Sequence, residues 1–313
     1  MNRRDALKVM GAGFASVAMA GMNAKAHELE KLAEKLNHYS SSDPANASSW
    51  APEGPTDPAP DSNYKEKVVY KGPDITFRQI DEHTWEGNGH LMYNESVYIV
   101  EGSERALVID AGTRIPDLDK IVAGITQKPV TLVATHVHPD HTGSSINLFP
   151  ELHLNAADEV LIPSIMPNYT GKKVYLSDGQ VFDLGGREIE VLFTPGHTPG
   201  SCTFFDKERH YGFSGDSFGS TNLLLMTNFS TLKATTYRVA WYMEKWGIEK
   251  LYPGHYSGDN VETLKRVKDE LQMAEEMLEG LREGVVDPSQ LGLNGLIHDH
   301  GVNIRYNTKN GIK

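Results

Sequence analysis

Thr135-His136-Val137-His138-Pro139-Asp140-His141-Thr142-Gly143 places three histidines and a carboxylate within six residues. An apolar run, Pro129 to Ala134, leads directly into it. Imidazole nitrogens and carboxylate oxygens are the donors that a borderline divalent cation such as zinc prefers. A loop at a strand end lets such closely spaced residues aim at one point, so the spacing reads as a metal-ligand motif. The single cysteine, Cys202, excludes an internal disulfide framework and any multi-cysteine metal knuckle.

The flanking elements read as a scaffold for such a loop. Ser96 to Val100 and Arg105 to Asp110 flank Glu101-Gly102-Ser103-Glu104 and predict a β-hairpin. Further strands are expected at 174–176, 181–182, 189–193 and 202–205, and helices at 116–126 and 230–246. A last long helix over 261–281 carries Val261, Leu264, Val267, Leu271, Ala274, Leu278 and Leu281 on one face. Strands alternating with helices and hairpins point to helices packed outside sheet layers.

The chain has 313 residues and a net charge of −12, which disfavours binding to a phosphate backbone. No nucleic-acid partner is therefore expected. No apolar run reaches the 18 residues of a membrane span, so no stable membrane insertion is expected either.

The His-x-His-x-Asp-His motif resembles that of the metallo-β-lactamase superfamily. That resemblance implies an α+β fold, the four-layer αβ/βα sandwich, with metals at one edge. It also implies further ligands in order downstream. Thr194-Pro195-Gly196-His197 supplies a histidine, Ser214-Gly215-Asp216 an aspartate and Tyr252-Pro253-Gly254-His255 another histidine. By resemblance, His136, His138 and His197 hold one metal, and Asp140, His141 and His255 hold a second. Asp216 bridges the two. The implied cofactor is a pair of zinc ions activating a shared water, with iron or manganese as alternatives. The implied catalytic residue is Asp140, passing a proton to the leaving group.

The resemblance leaves the substrate open. A small ester, lactone, thioester or related acyl compound is favoured, because Asp216 stands where the cysteine-ligand β-lactamases carry cysteine. β-Lactam hydrolysis is the main alternative. Phosphodiester hydrolysis, mono-iron sulfur oxidation and non-catalytic metal binding stand behind it. Cys202, His153, His210, Tyr169 and Tyr256 read as packing or ordinary polar positions. Leu223 to Met226 and Ile165-Met166 read as a pocket mouth or as core, and His298-Asp299-His300 as an incidental cluster.

The first 63 residues read differently from the rest. Residues 27–38 carry Leu29, Leu32 and Leu36 on one face of a short amphipathic helix. Residues 39–63 hold Pro44, Pro52, Pro55, Pro58 and Pro60, a linker composition, and the catalytic domain is expected over 64–313. Residues 1–26 combine Arg3-Arg4, a weakly apolar run from Val9 to Ala20, and Ala24-Lys25-Ala26. This resembles a twin-arginine export signal with its cleavage site and implies a periplasmic location. A reporter fused after Ala26 is expected to reach the periplasm, and Arg3→Lys with Arg4→Lys to hold it inside the cell. Export that persists in the double variant would identify the general secretory route instead.

Overall fold

The computed structural model describes residues 61–218, 222–290 and 292–312. The expected export signal, the helix over 27–38 and all but the last residues of the linker lie outside the described residues. An eight-stranded sheet runs in chain order through β1 (Lys67–Lys71), β2 (Ile75–Asp81), β3 (Thr84–Gly89), β4 (Ser96–Glu101), β5 (Ala106–Ile109), β6 (Val130–Val133), β7 (Glu151–Leu154) and β8 (Lys172–Tyr175). A second sheet starts with β9 (Val181–Asp183), β10 (Glu188–Phe193), β11 (Cys202–Asp206) and β12 (Tyr211–Gly215). The chain leaves it for β13 (Asn222–Leu225) and returns for β14 (Lys250–Pro253) and β15 (Glu262–Thr263). Helix α1 (Leu118–Ile125) follows β5, and α2 (Ile162–Ile165) is a single turn. Helices α3 (Phe229–Trp246) and α4 (Leu264–Glu279) flank β14 and β15.

Strand side chains alternate between faces, and both faces are buried here. Val97, Ile99 and Val108 point to an outer core that includes Leu118 and Val122 of α1. Tyr98, Val100, Leu107 and Ile109 point inward, where they share one cluster with Ile189, Val191, Cys202, Phe204 and Phe213 of the second sheet. Leu192 and Phe205 turn the other way, toward Val239 and Met243 of α3 and Val267 of α4. Two sheets face to face with helices outside make the expected four-layer sandwich. The two long helices end as their sequences dictate. Asn228 and Thr263 cap the N-termini by accepting from the amides of Thr231 and Arg266, and Gly247 and Gly280 take left-handed conformations at the C-termini.

The C-terminal region differs from expectation. The last helix begins at Leu264 rather than Val261, and it does not end the fold. Three strands follow, β16 (Val285–Gln290), β17 (Leu293–Asp299) and β18 (Val302–Tyr306), and with β13 they form a third sheet. The reason is a period-two pattern: Leu293, Gly295 and Ile297, then Val302, Ile304 and Tyr306, are buried in alternation. Ile297, Val302, Ile304 and Tyr306 pack with Leu223, Leu225, Phe229, Leu232, Met273 and Met277.

Parallel pairing sets the direction of the functional edge. β5 and β6 are parallel, as are β12 and β14, and β10 runs with β12 across the antiparallel β11. The loops after β6, β10, β12 and β14 therefore emerge at one edge. Ile304 is completely buried. Ile304→Ala is expected to cost about 2–5 kcal/mol in urea unfolding, the range for a deleted core isoleucine. A loss below about 0.5 kcal/mol would mean that the third sheet is not integrated with the sandwich.

Candidate metal centre

The four edge loops bring all seven expected residues together. Three overlapping groups form: His136, His138 and His197; His136, His141 and Asp216; and Asp140, His141 and His255. Within each group the ligand atoms lie within 4.8 Å of one another. His138 Nδ1 lies 3.1 Å from His136 Nε2 and 2.9 Å from His197 Nε2. On the other side, His255 Nε2 lies 3.4 Å from Asp140 Oδ2. Asp216 stands between the halves. Its carboxylate is 3.6 Å from His197 Nε2, 3.5 Å from His141 Nε2 and 3.4 Å from His255 Nε2.

The ring nitrogens that face away from this centre meet groups that need a donor. His197 Nδ1 donates to the Leu224 carbonyl of β13 at 2.9 Å, and His255 Nδ1 to the Tyr93 carbonyl at 3.1 Å. His141 Nδ1 donates to Asp110 Oδ2 at 2.8 Å. The Thr135 hydroxyl donates to the same Asp110 oxygen at 2.7 Å, so its oxygen accepts from His136 Nδ1 at 3.0 Å. Each acceptor holds the Nδ1 proton and orients the ring so that Nε2 aims inward. Asp110 thus orients one residue of each half.

The electrostatics divide along the same line. Burial and the neighbouring imidazoles hold His136 well below its ordinary range. Burial and His197 bring His138 down to about 3, and burial also lowers His197. This half is neutral, the form that binds a cation. Burial opposes charge on His141, but Asp140, Asp216 and Asp110 outweigh it and push the ring up to about 9. Asp216 and Asp140 likewise outweigh burial and push His255 well up. Burial works to raise Asp140, but His141 and His255 bring it down to about 2. Asp216 is held well below the carboxylate range, chiefly by His255 and His141 against the effect of burial. In this half the two carboxylates favour the protonated form of the His141 and His255 rings.

The residues fit a metal. His141 Nε2 is buried and has no hydrogen-bond partner, although two carboxylates flank it. Such an orphaned polar atom is costly unless something fills the gap. At Gly254 the chain has no room for a side chain, because a Cβ there would run into Asp216 Oδ1 and His141.

The remaining candidates fall outside the centre. Cys202 is fully buried in the inner core, with Sγ 3.4 Å from the Gly200 carbonyl. Tyr256 is buried and bonds to Glu66 and the Gly258 carbonyl, and Tyr169 bonds to the Lys172 carbonyl. His153 pairs with Glu151, and His210 meets the Trp246 carbonyl in a left-handed turn. Ile165 and Met166 are core, as are Leu223 and Leu225. His298 pairs with Asn303, Asp299 with Arg282, and His300 lies near Glu276. The sequence reading missed Asp110, Thr135 and Tyr93. For Asp110 the available signal was a carboxylate closing an apolar strand immediately before the motif strand.

A metal held by Asp140, His141 and His255 would displace protons from those rings. Affinity at this half is therefore expected to rise with pH through about 9, the value to which His141 is pushed. Calorimetry in two buffers of different ionisation enthalpy should show net proton release. Uptake independent of both pH and buffer would mean that these rings are neutral beforehand.

Comparison with known proteins completes the assignment. The model of the metallo-beta-lactamase superfamily matches residues 92–255, just over half of the chain. The acyl-coenzyme A thioesterase MBLAC2 of Homo sapiens is 27% identical over 214 residues, covering 55% of this chain and 76% of that protein. A hydroxyacylglutathione hydrolase of Synechococcus is 32% identical over 128 residues, covering 39% and 48%. A metallo-beta-lactamase crystal structure from Erythrobacter litoralis superposes with a TM-score of 0.53 at 17% identity. It covers 67% of this chain and 100% of that one, a likeness of fold. With its motif, its fold and its family match in agreement, the chain belongs to the metallo-beta-lactamase superfamily.

Proposed function

We propose that this protein is a binuclear zinc hydrolase that cleaves a thioester, or a closely related small acyl ester, in the periplasm. The observation that carries the reading is the place of Asp216, whose carboxylate lies 3.4–3.6 Å from an imidazole nitrogen of each half. One ion would be held by His136, His138 and His197, the other by Asp140, His141 and His255, with Asp216 shared. The imidazole-rich donor set supports zinc. When bound, such ions would supply Lewis acidity and lower the pKa of a water.

The protein's own residues do the rest. Asp110 and its partners hold the rings, so little reorganisation is needed when charge develops at the centre. Asp140, with a carboxyl brought down to about 2, starts ionised. It must take a proton before it can pass one to a leaving group. A thiolate leaving group needs little such help, which suits a thioester. Tyr93 is 41% exposed, with its ring centre 6.5 Å from that of His255, and so places an exposed aromatic ring beside the centre.

Relatives named as thioesterases and as a hydroxyacylglutathione hydrolase support the acyl reading. Asp216 in place of cysteine, with the only cysteine buried in the core, weighs against β-lactams. The Arg3-Arg4 segment supports export.

The test combines zinc analysis with a panel of acyl-coenzyme A, acyl-glutathione, lactone and β-lactam substrates. Two zinc equivalents and thioester turnover are expected. Asp216→Asn should lose the second ion and at least about 100-fold in turnover, the scale of one lost electrostatic stabiliser. His210→Ala should stay within a few-fold. Two retained ions and near-normal turnover in Asp216→Asn would overturn the bridge, and turnover of β-lactams alone would overturn the substrate.

A further inference from the structure

Asp158 belongs to none of the segments that carry the seven centre residues, yet its side chain reaches two of them. It sits in the 3-10 turn Ala156–Leu161 after β7 and is 1% exposed. Oδ2 accepts hydrogen bonds from the Val137 amide at 3.0 Å and the Thr198 hydroxyl at 2.8 Å. Oδ1 accepts from the Gly200 amide at 2.6 Å. Val137 lies between His136 and His138, and Thr198 follows His197. One carboxylate therefore joins the two loops that supply the whole neutral half of the centre.

Those loops come from different sheets, so neither strand ladder sets the distance between them. A backbone bond from Cys202 to the Thr135 carbonyl, 2.7 Å long, ties their roots. Asp158 ties the portions beside the imidazoles. The approach is built around its side chain, since a Cβ at Gly200 would run into it. Three donors and no acceptor face Asp158, so an amide in its place would set an N–H against another donor.

We propose that Asp158 is a positioning residue that sets the spacing of His136 and His138 against His197, and so the affinity and geometry of the metal site they form. The inference rests on reading those three histidines as metal ligands.

The test isolates that site. In an Asp140→Ala background, which removes the carboxylate of the other half, cobalt(II) is titrated into metal-free protein and followed by its visible absorption. Adding Asp158→Asn is expected to weaken cobalt binding about 10–100-fold, the range for lost outer-shell partners, and to change the band. Thr198→Val removes one of the three bonds and should weaken binding less, whereas Thr198→Ser keeps the hydroxyl and should restore it. The Thr198 pair decides the matter if Asp158→Asn does not fold. A lowered unfolding temperature with unchanged cobalt affinity and band would make Asp158 merely structural and overturn the inference alone. An Asp140→Ala parent that binds no cobalt would overturn the metal reading, and this inference with it.

Discussion

The centre depends on one buried carboxylate that is not among its seven converging residues. Asp110 takes three donors: the Thr135 amide, the Thr135 hydroxyl and the His141 ring. A carboxylate can only accept when ionised, so each donor is forced into a single orientation. Through Thr135 the constraint passes to His136, and directly it reaches His141. Asp110 adopts a left-handed backbone conformation, φ 62°, which aspartate tolerates better than most residues. That turn at the end of β5 aims the side chain across to the loop after β6. Removing its charge would release a ring in each half at once.

The two halves differ in kind although they share Asp216. One is three crowded imidazoles that burial keeps neutral, with His138 Nδ1 close to a ring nitrogen of each of the other two. The other alternates imidazoles with carboxylates and is already balanced by protons. A cation entering the first half would meet neutral rings, whereas one entering the second would displace protons. The two halves would therefore respond differently to pH in taking up a cation.

The outer layers reach this chemistry more directly than a supporting role suggests. β13 pairs with β18 in parallel, Leu224 opposite Arg305, and the Leu224 carbonyl holds His197. The C-terminal sheet therefore braces a residue of the centre, and its packing on α3 and α4 transmits to the edge. On the opposite side, Tyr98 donates to the Pro253 carbonyl and Ser96 to the Gly254 carbonyl, joining the first sheet to the strand that delivers His255.

Much of this was legible in the sequence. The run from His136 to His141 is local, so its spacing carries its chemistry, and His197, Asp216 and His255 follow strands marked by apolar patterning and glycine turns. Residues such as Cys202, Tyr169 and Tyr256 read correctly as packing, because an apolar strand or a lone tyrosine seldom does more. What the sequence could not determine is whatever depends on two distant segments meeting. Asp110 and Asp158 are ordinary carboxylates in one dimension, and become acceptors for the site's loops only when β5, β7 and β10 are brought to one edge. The C-terminal strands alternate apolar residues at period two, but the pattern has meaning only once β13 and the faces of α3 and α4 offer a surface to bury it. Local spacing names the atoms that can bind a metal, whereas tertiary packing decides which way each ring faces and whether it holds a proton.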